Sequence, residues 1–104
     1  MKIQINTDKN VEGHDRQEAY FSTELAKSLS RFDDKITRIE VHFTDENGEK
    51  VGTHDKKCLI EARPAGMQPL VVSDYADVTE KAFHGALDKM KKILTTAFEK
   101  QKTH

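Results

Sequence analysis

From Asp77 to Lys100 the chain carries its longest unbroken helical periodicity, and that stretch limits what the remainder can do. Phe83, Ala86, Met90, Ile93, Leu94 and Ala97 recur three and four residues apart, which gathers them on one side of a helix. A helix with one apolar stripe must bury that stripe against another layer. Asp77 with Glu80 three residues on has the spacing of a capping box. The same segment holds the densest lysine run: Lys81, Lys89, Lys91, Lys92 and Lys100, with Lys102 just beyond. On a helical wheel Lys89, Lys92, Thr96 and Lys100 fall beside one another, with Gly85 near the same line. One helix therefore offers an apolar stripe for a core and a basic flank for something else.

The upstream pattern supplies the other layer. Met1 to Thr7 alternates, with Ile3 and Ile5 on one side and Lys2, Gln4 and Asn6 on the other, as in a half-buried strand. Asp8 to Gly13 is turn material. Asp15 and Glu18 repeat the capping-box spacing and open a helix that runs to about Arg31. Phe21, Leu25 and Leu29 form its stripe and Phe32 closes it; Arg16, Tyr20, Glu24, Lys27 and Arg31 lie on the far side. Ile36 to Thr44 reads as a strand with Ile39, Val41 and Phe43 facing one way and Arg38, Glu40 and His42 the other. Asn47-Gly48 is a strong hairpin signal. A third strand spans Lys57 to Arg63 with Cys58, Ile60 and Ala62 inward; Pro64 to Gly66 turns the chain, and Gln68 to Ser73 is the fourth strand.

The order β-α-β-β-β-α in 104 residues fits one domain spanning residues 1–104. The expected fold is an α+β two-layer sandwich: a four-stranded mixed sheet with both helices on one face. The first helix is then the crossover between the first two strands, which become parallel neighbours. The other sheet face is left to water and carries Gln4, Arg38, Glu40, His42, Lys57, Glu61 and Arg63.

Few kinds of chemistry survive this reading. Net charge is −1, from 17 basic and 18 acidic side chains, so any nucleic-acid affinity must come from a local patch and not from the mean field. No apolar run reaches the length of a membrane span, and the first residues do not read as a signal peptide. The single cysteine fits a cytoplasmic protein. Its strand position argues for burial over reactivity, although Lys56 and Lys57 precede it. The five histidines show no ligand spacing, and no phosphate loop, dinucleotide fingerprint or nucleophile motif is present. The expectation is a non-enzymatic protein without metal or cofactor.

Several of these stretches, in this order, carry a resemblance. They are Ile3 to Ile5, Leu25-Ala26-Lys27 with Phe32 after it, Ile36-Thr37-Arg38-Ile39-Glu40-Val41, and Leu87-Asp88-Lys89-Met90-Lys91-Lys92-Ile93-Leu94. The chain resembles the ribosome hibernation-promoting factors, a family that includes the ribosome-associated inhibitor A and was once described as sigma-54 modulation proteins. It looks like a compact branch of that family, marked by Asp45-Glu46-Asn47-Gly48, Asp55-Lys56-Lys57-Cys58 and Glu61-Ala62-Arg63. The resemblance implies the same sheet with two helices on one face. It also implies binding to the small ribosomal subunit, in the channel of messenger and transfer RNA, so that translation is blocked. Lys27, Lys89 and Lys92 correspond to basic residues that face ribosomal RNA in that family.

Two readings of the basic flank stay open. One is an ordinary solvated face whose lysines complement the helix dipole. The other is phosphate contact, with Lys89 and Lys92 first, then Lys27, Lys100 and Arg31. A non-enzymatic interaction module that forms a homodimer through its sheet face or edge is the alternative function.

Overall fold

The computed structural model describes residues 1–7, 14–45 and 56–102, with backbone alone at 14–16 and 101–102. Asp15 of the capping pair has no described side chain, and the Asn47-Gly48 turn lies outside the described residues. Strand β1 is Lys2–Thr7, helix α1 His14–Ser28, β2 Ile36–Asp45, β3 Lys56–Pro64, β4 Leu70–Ala76 and α2 Thr79–Lys102; a 3-10 turn at Ser30–Phe32 follows α1. The sheet order is β1-β2-β3-β4. β1 runs parallel to β2, with Ile3 beside Ile39 and Ile5 beside Val41. β2–β3 and β3–β4 are antiparallel. The α+β arrangement expected from the residue pattern is present, with both helices on one face.

Alternation decides which face is covered. Ile39, Val41 and Phe43 of β2 and Cys58, Ile60 and Ala62 of β3 are all buried, and these residues pair across the strands. Against them lie Phe21 and Leu25 of α1, Leu29 just past its end, and Phe83, Ala86, Met90 and Leu94 of α2. Burying a leucine or phenylalanine is worth about 1.5–3 kcal/mol relative to exposure, so this layer, not the surface ion pairs, holds the fold. Phe21 joins the three elements, with ring centroids 4.7 Å from Phe43 and 4.5 Å from Phe83.

The two helices are fastened to each other at both ends. Near their starts Tyr20 meets His84 and Glu80, at 2.9 and 3.4 Å from its hydroxyl. Near their ends Phe32 stacks on Phe98, with centroids 5.3 Å apart and planes 22° from parallel. α2 is thus tied to α1 at Tyr20 and to the 3-10 turn after α1 at Phe32.

Element limits shift in places, for physical reasons. β4 starts at Leu70 and not Gln68, because Pro69 has no N–H to give a ladder. It then continues past Ser73 to Ala76, with Asp74 on the helix-covered face opposite Cys58. α1 stops at Ser28, and Arg31 sits in the 3-10 turn. α2 begins at Thr79, where the Val78 carbonyl accepts from Ala82 N–H at 3.2 Å. Asp77 thus stands before the helix and pairs with Lys81 at 3.5 Å, which holds its carboxyl below the usual range. The turn between β3 and β4 is closed by Met67 N–H on the Pro64 carbonyl at 3.3 Å, and Gly66 takes the positive φ of 74° there.

Candidate nucleic-acid interface

Lysines on α2 divide between two flanks because 3.6 residues per turn separates neighbours by about 100°. Lys89 and Lys100 lie on the flank beside β4; Lys91 lies on the flank that faces α1; Lys92 points outward between them. The outward and α1-facing positions are joined from α1 by Lys27 and from the turn after it by Arg31.

Lys89 is already engaged. Its Nζ donates to the Ser73 carbonyl at 2.8 Å and lies 3.4 Å from Asp74 Oδ1. Ser73 belongs to β4, an edge strand, so the ammonium occupies an acceptor that an edge presents outward. Gly85 makes this possible. A Cβ at Gly85 would lie 2.8 Å from Asp74 Cγ and collide with Oδ2, so only glycine leaves the carboxylate its place over the helix. Asp74 in turn adds to burial in pushing the Cys58 thiol up to about 12, burial being the larger cause. Cys58 is fully buried, as its strand position implied.

Other cations are less committed. Lys27 is 75 % exposed and only 3.9 Å from Glu24, an i,i+3 pair of the kind worth a few tenths of a kcal/mol. Lys91 and Lys92 form no ion pair with any described residue and line a shallow hollow of about 390 Å³ with Thr95 and Thr96. Arg31 lies over the Phe32 ring at 4.6 Å, and Lys35 over the Phe98 ring at 5.3 Å. Both border a second hollow of about 320 Å³ whose wall also includes Thr95 and Glu99.

The outer layer of the helices thus brings Lys27, Arg31 and Lys92 onto one side of the molecule. It leaves Lys89 on the β4 flank, where the wheel also sets Lys100. Lys35 was not singled out from the sequence, and Lys91 was counted in the lysine run but not among the phosphate contacts. Lys91 lies one residue from Lys92 but on the α1-facing flank, and Lys35 sits in an Asp-Asp-Lys turn with no periodicity to flag it. The packing of Phe32 on Phe98 gives Lys35 its aromatic partner.

Charge is graded along the helix pair. At its N-terminal end Tyr20, Glu24, Glu80 and His84 make a polar and acidic cluster, with His84 Nε2 3.9 Å from Glu80. The Tyr20 phenol is raised above its ordinary pKa by partial burial first, then by Glu80 and Glu24. A polyanion is therefore disfavoured at that end and favoured at the other.

On the open sheet face the charges satisfy one another. Arg38 bonds Gln4 and lies 3.7 Å from Glu40; Arg63 lies 3.3 Å from Glu61 and 3.9 Å from Glu40. His42 reaches Glu40 at 3.9 Å, and Lys57 covers the Tyr75 ring at 5.6 Å. A face that neutralises itself in this way attracts a phosphate less than the helix face does. Among the described residues no group of three His, Cys, Asp or Glu is placed to hold a metal ion, and no helix is long and apolar enough to cross a membrane.

With this geometry established, the comparisons with known proteins can be stated. A family model described as "Sigma 54 modulation protein / S30EA ribosomal protein" matches residues 3–102. Among solved structures the chain is similar to the N-terminal domain of Thermus thermophilus Protein Y, with TM-score 0.68 and 19% identity over 88% of this chain and 93% of that one. It is also similar to a ribosomal subunit interface protein from Coxiella burnetii, with TM-score 0.65 and 17% identity over 95% and 99%. At those identities the likeness shows a shared fold. A search of curated proteins gave no match.

Proposed function

Because the chain belongs to the sigma 54 modulation protein / S30EA ribosomal protein family, we propose that it is a cytoplasmic, ribosome-associated factor of the hibernation type. It docks the outer faces of α1 and α2 on ribosomal RNA of the small subunit and blocks translation by occupying space that messenger and transfer RNA need. It carries out no catalysis. The observation that carries this reading is the family match over residues 3–102. The less committed cations on the helix layer, set against a self-neutralised sheet face, support the helix layer as the side that meets RNA.

Lys92, Lys27 and Arg31 are the primary phosphate contacts. Lys89 and Lys100 on the β4 flank are secondary, since Lys89 already serves Ser73 and Asp74. Each cation that neutralises a phosphate contributes through counterion release, so association weakens steeply with salt. The rigid two-layer domain supplies the steric block without a conformational step.

Sucrose-gradient sedimentation with purified small subunits tests this. The protein should travel with the subunit at low salt and dissociate as salt rises. Lys27→Glu combined with Lys92→Glu should abolish co-sedimentation. Co-sedimentation unaffected by that double reversal would remove the helix face from the proposal.

A second reading, a homodimer through β4, has one observation in its favour: Val71 and Tyr75 on this edge strand are 51% and 41% exposed. Lys89 on the Ser73 carbonyl works against it, because that acceptor is occupied. A dimer in sedimentation equilibrium, with no subunit association, would favour this second reading.

A further inference from the structure

The two edges of the sheet differ. On β4 the Lys89 ammonium sits on the Ser73 carbonyl at 2.8 Å with Asp74 beside it, so a strand laid along that edge meets an occupied acceptor and a charge at its middle. β1 ends the sheet on the other side, and from Lys2 to Asn6 its outer edge pairs with no strand among the described residues. Ile3 to Asn6 bring no charge, proline or bulge to that edge. Ile3 and Ile5 lie on the helix-covered side yet are only partly buried, while Ile39 and Val41 beside them are fully covered.

The flank that α1 turns away from α2 is made of short side chains. Tyr20 reaches His84 on α2, so at about 100° per residue Ala19, Ser22 and Ala26 fall on the other side of the Phe21–Leu25 stripe. Ala19 and Ala26 are exposed and Ser22 is half-buried. Glu18 is the one charge among the described side chains of that flank, in a chain of which 34% is charged. Short side chains let a second helix approach to the near end of the usual range of about 8–10 Å.

We propose that a second copy of the chain pairs along β1, antiparallel, joining two four-stranded sheets into one of eight strands with the two α1 helices side by side. A two-fold axis presents the same surface from both copies and makes the strands antiparallel. Centred on Gln4, the pairing sets Ile3 opposite Ile5 of the second copy and Lys2 opposite Asn6, so no like charges face each other. The axis then meets the middle of α1. Met1 lies on Asp33 just past the end of α1, at 3.4 Å, and Gln4 is three strand residues, about 10 Å, further along. That is about seven helical residues, which counted back from Ser28 reaches Phe21 and Ser22. Ser22 thus faces its own copy, and Ala26 faces Glu18. The inference rests on neither reading of function given above, and it uses the edge opposite to the β4 dimer.

Sedimentation equilibrium of the intact protein, from micromolar to millimolar concentration, should show monomer and dimer in exchange, because so short an interface lies below the roughly 1,200 Å² of standard stable complexes. Monomer throughout would overturn the proposal. Ser22→Glu with Ala26→Glu adds carboxylates around the axis and beside Glu18 without touching β1, and should weaken dimerisation about tenfold or more. Val71→Lys on β4 should leave it unchanged; equal weakening by the two variants, or the reverse pattern, would overturn the β1 assignment. A cross-link reads the same geometry independently. With Cys58→Ala and oxidised glutathione as oxidant, Gln4→Cys should form a disulfide-linked dimer, since strand residues directly opposite each other have Cα atoms about 4.5–5.5 Å apart. Ser73→Cys at the middle of β4 should link about tenfold more slowly, and equal rates would overturn the proposal.

Discussion

Replacing Gly85 by alanine sets two effects of similar size against each other, so the sign of the outcome is informative. In an exposed helix interior, glycine to alanine stabilises by about 0.8–1.0 kcal/mol. Here the new methyl would overlap Asp74 Oδ2, stand 2.8 Å from Cγ and come within 3.3 Å of Cβ. Asp74 must leave its rotamer, at about 0.5–1.5 kcal/mol, and its carboxylate must leave Lys89, a part-exposed pair worth about 0.2–1 kcal/mol. These costs sum to about 0.7–2.5 kcal/mol, so Gly85→Ala in the natural chain should range from neutral to about 1.5 kcal/mol destabilising. In an Asp74→Ala background the carboxylate is gone and only the 3.3 Å approach to Cβ remains, so the same substitution should stabilise by up to about 1 kcal/mol. Urea denaturation of the four proteins gives the coupling as the difference between backgrounds, about 0.7–2.5 kcal/mol, within the range for residues in contact. Thermal midpoints should move by about 4–8 °C per kcal/mol for a domain of this size. Equal stabilisation in both backgrounds would show that Asp74 does not rest on Gly85 and that Lys89 is not latched as described.

Further expectations concern protons. The Cys58 thiol, pushed up to about 12 by burial and Asp74, keeps its proton in the folded chain while the unfolded chain loses it, so folding stability should fall as pH climbs from about 9 towards 12. The loss attributable to this group is about 1.4 kcal/mol per pH unit over that window, absent in Cys58→Ala, and read by denaturant midpoints of the two proteins across alkaline pH. The folded protein should also resist thiol reagents at neutral pH, and prompt labelling would contradict the burial. Tyr20, isolated by Tyr75→Phe, should ionise above an ordinary phenol in an ultraviolet titration. Glu80→Gln should bring it part of the way back, because burial remains as the larger cause; ionisation at or below the ordinary range would contradict the cross-helix contact.

Much of the architecture was legible because periodicity is a local property. Spacings of three and four picked out Phe21, Leu25 and Leu29 as buried, although Leu29 falls one residue past the end of α1, and alternation separated Ile39, Val41 and Phe43 from Arg38, Glu40 and His42. β4 was harder. A carboxylate at Asp74 breaks the apolar alternation, and its accommodation depends on a glycine eleven residues later that local pattern cannot link to it. The same holds for Lys89. Its wheel position was right, but its partner is an edge carbonyl on another element, and such a contact exists only once the layers meet. Lys35 escaped notice because the ring stack that gives it a partner, Phe32 on Phe98, joins residues sixty-six apart.

The double fastening of the helices, by Tyr20 on His84 at one end and Phe32 on Phe98 at the other, makes the pair behave as a caliper. The spacing is set by a buried ring stack at one end and a half-exposed phenol–imidazole contact at the other, while a partner meets only the charges outside. Shaving a ring such as Phe98 would therefore remove the support beneath Lys35 while every surface charge was retained, and a loss of binding could originate in the hydrocarbon interior.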